Sequence, residues 1–166
     1  MKSKLLIIFF IAFGFSQNTR YLDEVFDEVT KTEDVIYGNA PDLPFWFWVE
    51  SNTVDIDLDM DIYEPVGDTL TNRPVIIFAH TGSFFSGHNE LEDVVDLSIS
   101  AAKRGYVAIS INYRLGLNII STYSGERAVY RAVQDGGAAI RIYGNFQKNL
   151  VLIPIKFSCG APVRVQ

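Results

Sequence analysis

Two short apolar runs, Val75 to His80 (VIIFAH) and Tyr106 to Arg114 (YVAISINYR), are separated by a segment with helical spacing. That pattern constrains the chain most. Continuous apolar runs of this length fit strands buried on both faces, as in a parallel sheet. Between them, Leu91, Val94, Val95, Leu97, Ser98, Ala101 and Ala102 recur at helical intervals and Gly105 closes the helix, predicted over Leu91–Lys103. Glu126 to Ile140 returns to helical spacing. The order strand, helix, strand, helix implies right-handed crossovers and an α/β layered sheet.

Upstream, Thr53 to Pro65 alternates: Val54, Ile56, Leu58, Met60 and Ile62 share one face, and Asp55, Asp57, Asp59 and Asp61 the other. A period of two predicts a strand with one buried side and a solvated aspartate side. The aspartates do not make an EF-hand. Counted from Asp55, the sixth and twelfth positions hold Met60 and Val66, and counted from Asp57 they hold Ile62 and Asp68, where such a loop needs Gly and Glu. Phe45 to Glu50 (FWFWVE) fits an aromatic strand that packs in the core, with a ligand platform as its rival. Tyr37 to Pro44 has loop chemistry. Tyr21 to Val35, with Leu22, Val25, Phe26 and Val29, predicts a short helix with one buried face.

Composition limits the function classes. The 166 residues suffice for one domain with a sizeable core. Residues 1–17 carry Lys2 and Lys4 before an apolar run from Leu5 to Phe15, with Gly14 and Ser16 at the end. The run is shorter than the roughly 20 residues of a membrane-spanning helix, so it is expected to be a signal peptide, which places the chain outside the cell or in a periplasm. No later segment is expected to span a membrane. The formal charge is −6; without Lys2 and Lys4, twelve basic residues face twenty acidic ones, a balance of −8. An acidic chain repels phosphate backbones, so nucleic acid is not an expected partner. The single cysteine, Cys159, excludes an internal disulfide. No CxxC, HExxH or histidine pair supports a metal site, and no cofactor motif is present.

Chemistry in an α/β sheet gathers at the carboxyl ends of strands. His80 stands at such an end, followed by Thr81, Gly82 and Ser83. Small residues let backbone N–H groups approach a ligand, and two donors aimed at one point form an oxyanion hole. Taken alone, the turn fits equally a tight strand-to-helix connection that needs small residues.

The stretches LDMDIYEP, RPVIIFAHTGSFFSG, AAKRGYVAISINYRLG and AVYRAVQDGGAAIR, in that order from about Asp57 to Arg141, resemble the N-terminal half of a secreted carboxylesterase or lipase-like α/β-hydrolase. The resemblance implies a partial α/β-hydrolase fold: a mixed, mostly parallel sheet with flanking helices, lacking the nucleophile strand onward. It assigns the oxyanion hole to the backbone N–H groups of Gly82 and Ser83, with His80 and Thr81 in support. The family has Gly where Thr81 stands, and a β-branched residue disfavours positive φ. Arg114 is expected to support the turn by hydrogen bonds. His88 is expected to be exposed, and is not the base, which the family supplies late in the chain.

The family also needs a serine on a G-x-S-x-G elbow, then an acid, then a histidine. No G-x-S-x-G occurs in the sequence; Ser86 and Ser124 lack the leading Gly. Nucleophile, acid and base are therefore absent by this reading. Back-translating Gln147 to Gln166 and reading two bases along can spell K-K-F-G-I-D-P-N-K-I-F-M-W-G-S-S-A-G-A, with the elbow serine across the codons of Pro162 and Val163. That string resembles the family's next segment. A frameshift is expected near Ile140 to Tyr143, dividing the chain into a leader (1–17), a hydrolase part (18–141) and an out-of-frame tail (142–166). Three readings follow: an inactive fragment of a serine esterase acting on small acyl or lipid-like esters, a secreted binding module using Phe45 to Trp48, or a partner completed in trans by another polypeptide.

Overall fold

The computed structural model describes residues 19–43 and 52–146. Four strands, β1 (Val29–Asp42), β2 (Val54–Pro65), β3 (Val75–Ala79) and β4 (Val107–Ile111), and two helices, α1 (Glu92–Lys103) and α2 (Ser124–Phe146), follow the chain as β1, β2, β3, α1, β4, α2. The strands lie side by side in the order β1-β2-β4-β3. β1 and β2 are antiparallel, as are β2 and β4, while β3 and β4 are parallel. The sheet is mixed, and one of the three described pairings is parallel. β4 thus enters between two strands that precede it, which a hairpin cannot do and the crossover through α1 can.

The alternation of β4 explains the layers. Val107, Ile109 and Ile111 face α2 and join Leu58, Met60, Val75, Ile77, Ala139 and Tyr143 in one core. Ala108 points the other way and meets Tyr63, Ala101 and Ala102 beneath α1. Every residue of β4 is buried. Ser110 is tolerated there because its hydroxyl donates to the Asn89 carbonyl (2.7 Å). In α1, Glu92 and Asp93 occupy the first turn and Lys103 the last, which complements the helix dipole.

Three expectations upstream are corrected. Tyr21 to Val35 is not a helix: a turn is followed by β1 from Val29, and Leu22 and Val25 are exposed. The tertiary ladder to β2, running from Val29 opposite Pro65, overrides the local periodicity. Register shifts between Thr32 and Val35 and between Ile36 and Gly38 break the alternation that would have signalled a strand. β1 also runs on through the segment expected to be a loop, as far as Asp42. It is an edge strand, where Pro41 removes no essential ladder bond. Third, the two faces of β2 are not uniformly buried and solvated. Val54 and Ile56 are exposed, whereas Asp61 is 1 % exposed. β4 covers only Met60 to Tyr63, so the first half of β2 has no second neighbour among the described residues. Buried Asp61 accepts the Asp34 N–H (3.1 Å) and pairs with Lys31 (3.1 Å).

The strands expected over Val75–His80 and Tyr106–Arg114 and the helix expected over Leu91–Lys103 are present, and α2 extends beyond Glu126–Ile140 at both ends. Phe45 to Trp48, Cys159, the leader and the part of the tail beyond Phe146 lie outside the described residues. Among the described residues no helix is long and apolar enough to cross a membrane.

Candidate active site

The residues after β3 form a compact turn. Phe85 and Ser86 both donate their N–H to the Gly82 carbonyl (3.0 and 3.2 Å). Gly82 has φ of 125°, and a Cβ there would stand 1.9 Å from the Ser86 carbonyl oxygen. Gly87 closes the turn with φ of 113°, and a Cβ there would meet His80 Nδ1 at 2.3 Å. Both glycines are therefore demanded by backbone conformation and by space. Thr81 does not have positive φ; Ser83 and Phe84 do, at 54° and 62°. The strain expected at Thr81 lies two residues further on. The Thr81 hydroxyl reaches Asp93 at the start of α1 (3.4 Å).

Among the described residues, the N–H groups of Gly82 and Ser83 have no acceptor. Ser83 is exposed and Gly82 half-buried. Two adjacent donors, fixed by a strained turn at the carboxyl end of the sheet, can receive a developing negative charge.

His80 braces this turn. It is 4 % exposed, its Nδ1–H donates to the Thr81 carbonyl (2.8 Å), and its ring stacks on Tyr113 with centroids 4.3 Å apart. Burial lowers the His80 pKa, opposed by the bond to Thr81. The unfolded chain therefore binds this proton more readily. The stability that neutral His80 contributes is present above its ordinary value of 6.5 and is lost as pH falls through the lower folded value. Urea midpoints measured across that range are expected to fall with pH, and the slope to flatten in His80→Asn.

Sequence reading assigned no role to Tyr113, Asn112 or Asn89. The Tyr113 hydroxyl donates to the His80 carbonyl (3.0 Å) and its ring meets Phe84 edge-on. Asn112 Oδ1 accepts the Asn89 N–H (2.8 Å), while its amide donates to Asp59 (2.7 Å) and to Asn89 Oδ1 (2.9 Å). The tip is also pinned: Gly116 and Leu117 donate to the Phe84 carbonyl (2.9 and 3.0 Å). The segment after β4 is thus the platform on which the turn rests. The only signal in the sequence was the polar Asn-Tyr-Arg string ending an apolar strand.

Arg114 does not support the turn, which corrects its expected role. Its guanidinium pairs with Asp135 of α2 (2.6 Å) and donates to the Pro41 carbonyl of β1 (3.0 Å). His88 is exposed, Ser86 is exposed on the turn, and the Ser124 hydroxyl caps the Asn118 carbonyl. No histidine or carboxylate stands behind either serine in the hydrogen bonds of the described residues. A cleft of about 290 Å³ lies between β2 and the segment after β4, lined by Asp59, Gly87, Asn112, Tyr113 and Arg114 among others, but not by Gly82 or Ser83. No group of three or more metal-ligating side chains occurs among the described residues.

The family model described as BD-FAE matches residues 60–142, half of the chain. The chain belongs to the BD-FAE family. In this BD-FAE chain the match takes in β3, α1, β4, the His80 turn and most of α2. Its mixed sheet with flanking helices matches a partial α/β-hydrolase fold. Solved structures similar to it include esterase B from Lactobacillus rhamnosis with a tributyrin phosphonate inhibitor (17 % identity, 81 % of this chain and 39 % of that one, TM-score 0.48). Others are a bacterial brefeldin A esterase described as a homologue of human hormone-sensitive lipase (14 % identity, 76 % and 30 %, TM-score 0.48) and a hyperthermophilic esterase from the archaeon Pyrobaculum calidifontis (18 % identity, 81 % and 36 %, TM-score 0.40). The chain spans well under half the length of these three proteins.

Proposed function

We propose that this chain carries the oxyanion-binding half of a secreted serine carboxylic-ester hydrolase, and that on its own it does not hydrolyse esters. The observation that carries the reading is the pair of N–H groups at Gly82 and Ser83, which have no acceptor among the described residues and stand just after the carboxyl end of β3. In the whole enzyme a serine hydroxyl would attack the ester carbonyl carbon. A histidine would take its proton, and the carbonyl oxygen, now negative, would accept hydrogen bonds from Gly82 and Ser83. Expulsion of the alcohol would leave an acyl-enzyme, which water would then cleave. Each donor of this kind is worth about 10²–10³ in rate.

Inactivity is proposed because the sequence holds no G-x-S-x-G. His80, packed on Tyr113 beneath the turn, acts as a brace. The family match ends at residue 142, within the stretch Ile140 to Tyr143 where the frameshift is expected, which supports it. Export rests on the leader, Lys2 to Ser16.

The chain is expected to leave p-nitrophenyl butyrate at its background rate of hydrolysis and to take up no fluorophosphonate probe. Covalent labelling of any serine overturns the inactivity. Sequencing the coding DNA tests the frameshift: absence of a GSSAG reading across the Pro162 and Val163 codons rejects it. Recovery of esterase activity on mixing with a C-terminal hydrolase fragment would show that the donor half works in trans.

A further inference from the structure

We propose that the outer face of α2 is a self-complementary surface on which a second copy of this chain packs, helix against antiparallel helix. Glu126, Tyr130, Val133, Gly137 and Arg141 follow one another along α2 in steps of four, three, four and four, which sets them in one stripe. The buried positions Ala128, Ala132, Asp135, Ala139 and Tyr143 form the opposite stripe, turned into the fold. On the outer side Tyr130 and Val133 are 65 and 52 % exposed, with Val129 beside them at 44 %. Glu126 and Arg141 at the two ends are exposed as well. An exposed apolar strip rimmed by charge marks an interaction face.

The stripe itself identifies the occupant. Its ends carry opposite charges, and among the described residues neither Glu126 nor Arg141 takes part in an ion pair. They stand roughly 22 Å apart along the helix axis, too far to meet within one chain. An antiparallel copy, related by a two-fold axis between Val133 and Gln134, brings Glu126 of each chain opposite Arg141 of the other. The same register sets Tyr130 against Gly137, a large ring over a residue with no side chain. Beyond the helix backbone, a Cβ at Gly137 would meet only Arg141 Nη1, at 3.3 Å, among the described residues. There is room for the ring, and the Arg141 guanidinium lies on the stripe. Beside Tyr130, a shallow hollow of about 590 Å³ walled by Gly125, Glu126, Val129 and Val133 is open to the incoming helix. Such a pair is isologous, so every contact occurs twice. A partner of another sequence would have to reproduce this order of charge and size; a second copy already has it.

Sedimentation equilibrium of the full-length protein, from micromolar to near-millimolar loading, is expected to show monomers in equilibrium with dimers. Val133→Asp places two like charges beside the axis and should leave monomers throughout, with far-UV circular dichroism unchanged. Glu126→Arg and Arg141→Glu, each alone, turn two attractive contacts into two repulsive ones and should weaken the dimer about tenfold or more. Combined in one chain, they restore opposite charges across the axis and should recover the native dissociation constant. Should Val133→Asp fail to fold, the charge reversals at exposed positions carry the test. Monomers at every concentration overturn the proposal. So does a dimer that Val133→Asp leaves intact, which would assign the contact to another surface such as the outer edge of β3. A double reversal that binds no more tightly than the single ones overturns it as well.

Discussion

Asp135→Ala should destabilise the protein by about 3–5 kcal/mol, because it strands a buried guanidinium. Arg114 and Asp135 are 8 and 2 % exposed, and their side chains meet through several contacts between 2.6 and 3.1 Å. Asp135 also accepts the Arg114 backbone N–H (2.9 Å). The pair joins three elements, since Arg114 follows β4, Asp135 lies on α2, and the guanidinium reaches Pro41 on β1. Domain stability is commonly about 5–15 kcal/mol, so the loss would consume a large share of it. Urea unfolding of the variant is expected to show a much lower midpoint with little change in slope. The double variant Arg114→Met with Asp135→Leu separates the cost of an orphaned charge from the worth of the pair. It should be more stable than the sum of the two single losses implies, by roughly 0.5–3 kcal/mol. Strict additivity would mean that the two residues act independently, against the geometry.

What the sequence reveals here follows from where the physics is local. The strands β3 and β4 are short apolar runs because both faces are covered, and α1 shows its buried stripe at Val94, Ser98, Ala101 and Ala102. Those elements were legible. β1 was not, because its ladder partners lie 12 to 36 residues away, from Val54 opposite Asp42 to Pro65 opposite Val29, and two register shifts scramble its alternation. Asp61 defied the aspartate pattern for a similar reason: its burial depends on β4 and on Lys31, neither of them a neighbour in sequence. At the site, Gly82 and Ser83 could be chosen because a turn that offers backbone donors needs small residues. The support under them could not. Tyr113 stacks on His80 across 33 positions of chain, and Arg114 turned out to face α2. The location of strain was also hidden, since a substitution at Thr81 draws attention there while the left-handed conformations fall at Ser83 and Phe84. Residue type announces that a turn is special; only the backbone says which residue bears the cost.

Gly82→Ala is expected to be the most damaging small change to the turn itself. The new methyl would have to share space with the Ser86 carbonyl, 1.9 Å from its oxygen and 2.7 Å from its carbon. These are backbone atoms, so no side-chain rotation relieves the contact. The φ of 125° adds strain for any L side chain, and strained backbone of this kind costs about 1–3 kcal/mol. The turn is therefore expected to open, breaking the bonds from Phe85 and Ser86 to the Gly82 carbonyl. Amide shifts and hydrogen exchange from His80 to Asn89 should report it, with β4 and α2 unperturbed. Thr81→Gly serves as the contrast. Thr81 has no positive φ to relieve, so removing its side chain should cost no more than about 1 kcal/mol of backbone entropy. In a complete enzyme bearing this turn, Gly82→Ala should lower kcat by about 10²–10³ through displaced donors, with KM for the ester little changed. Equal effects of the two substitutions would mean that the turn is a mere connection and that its backbone groups hold no oxyanion.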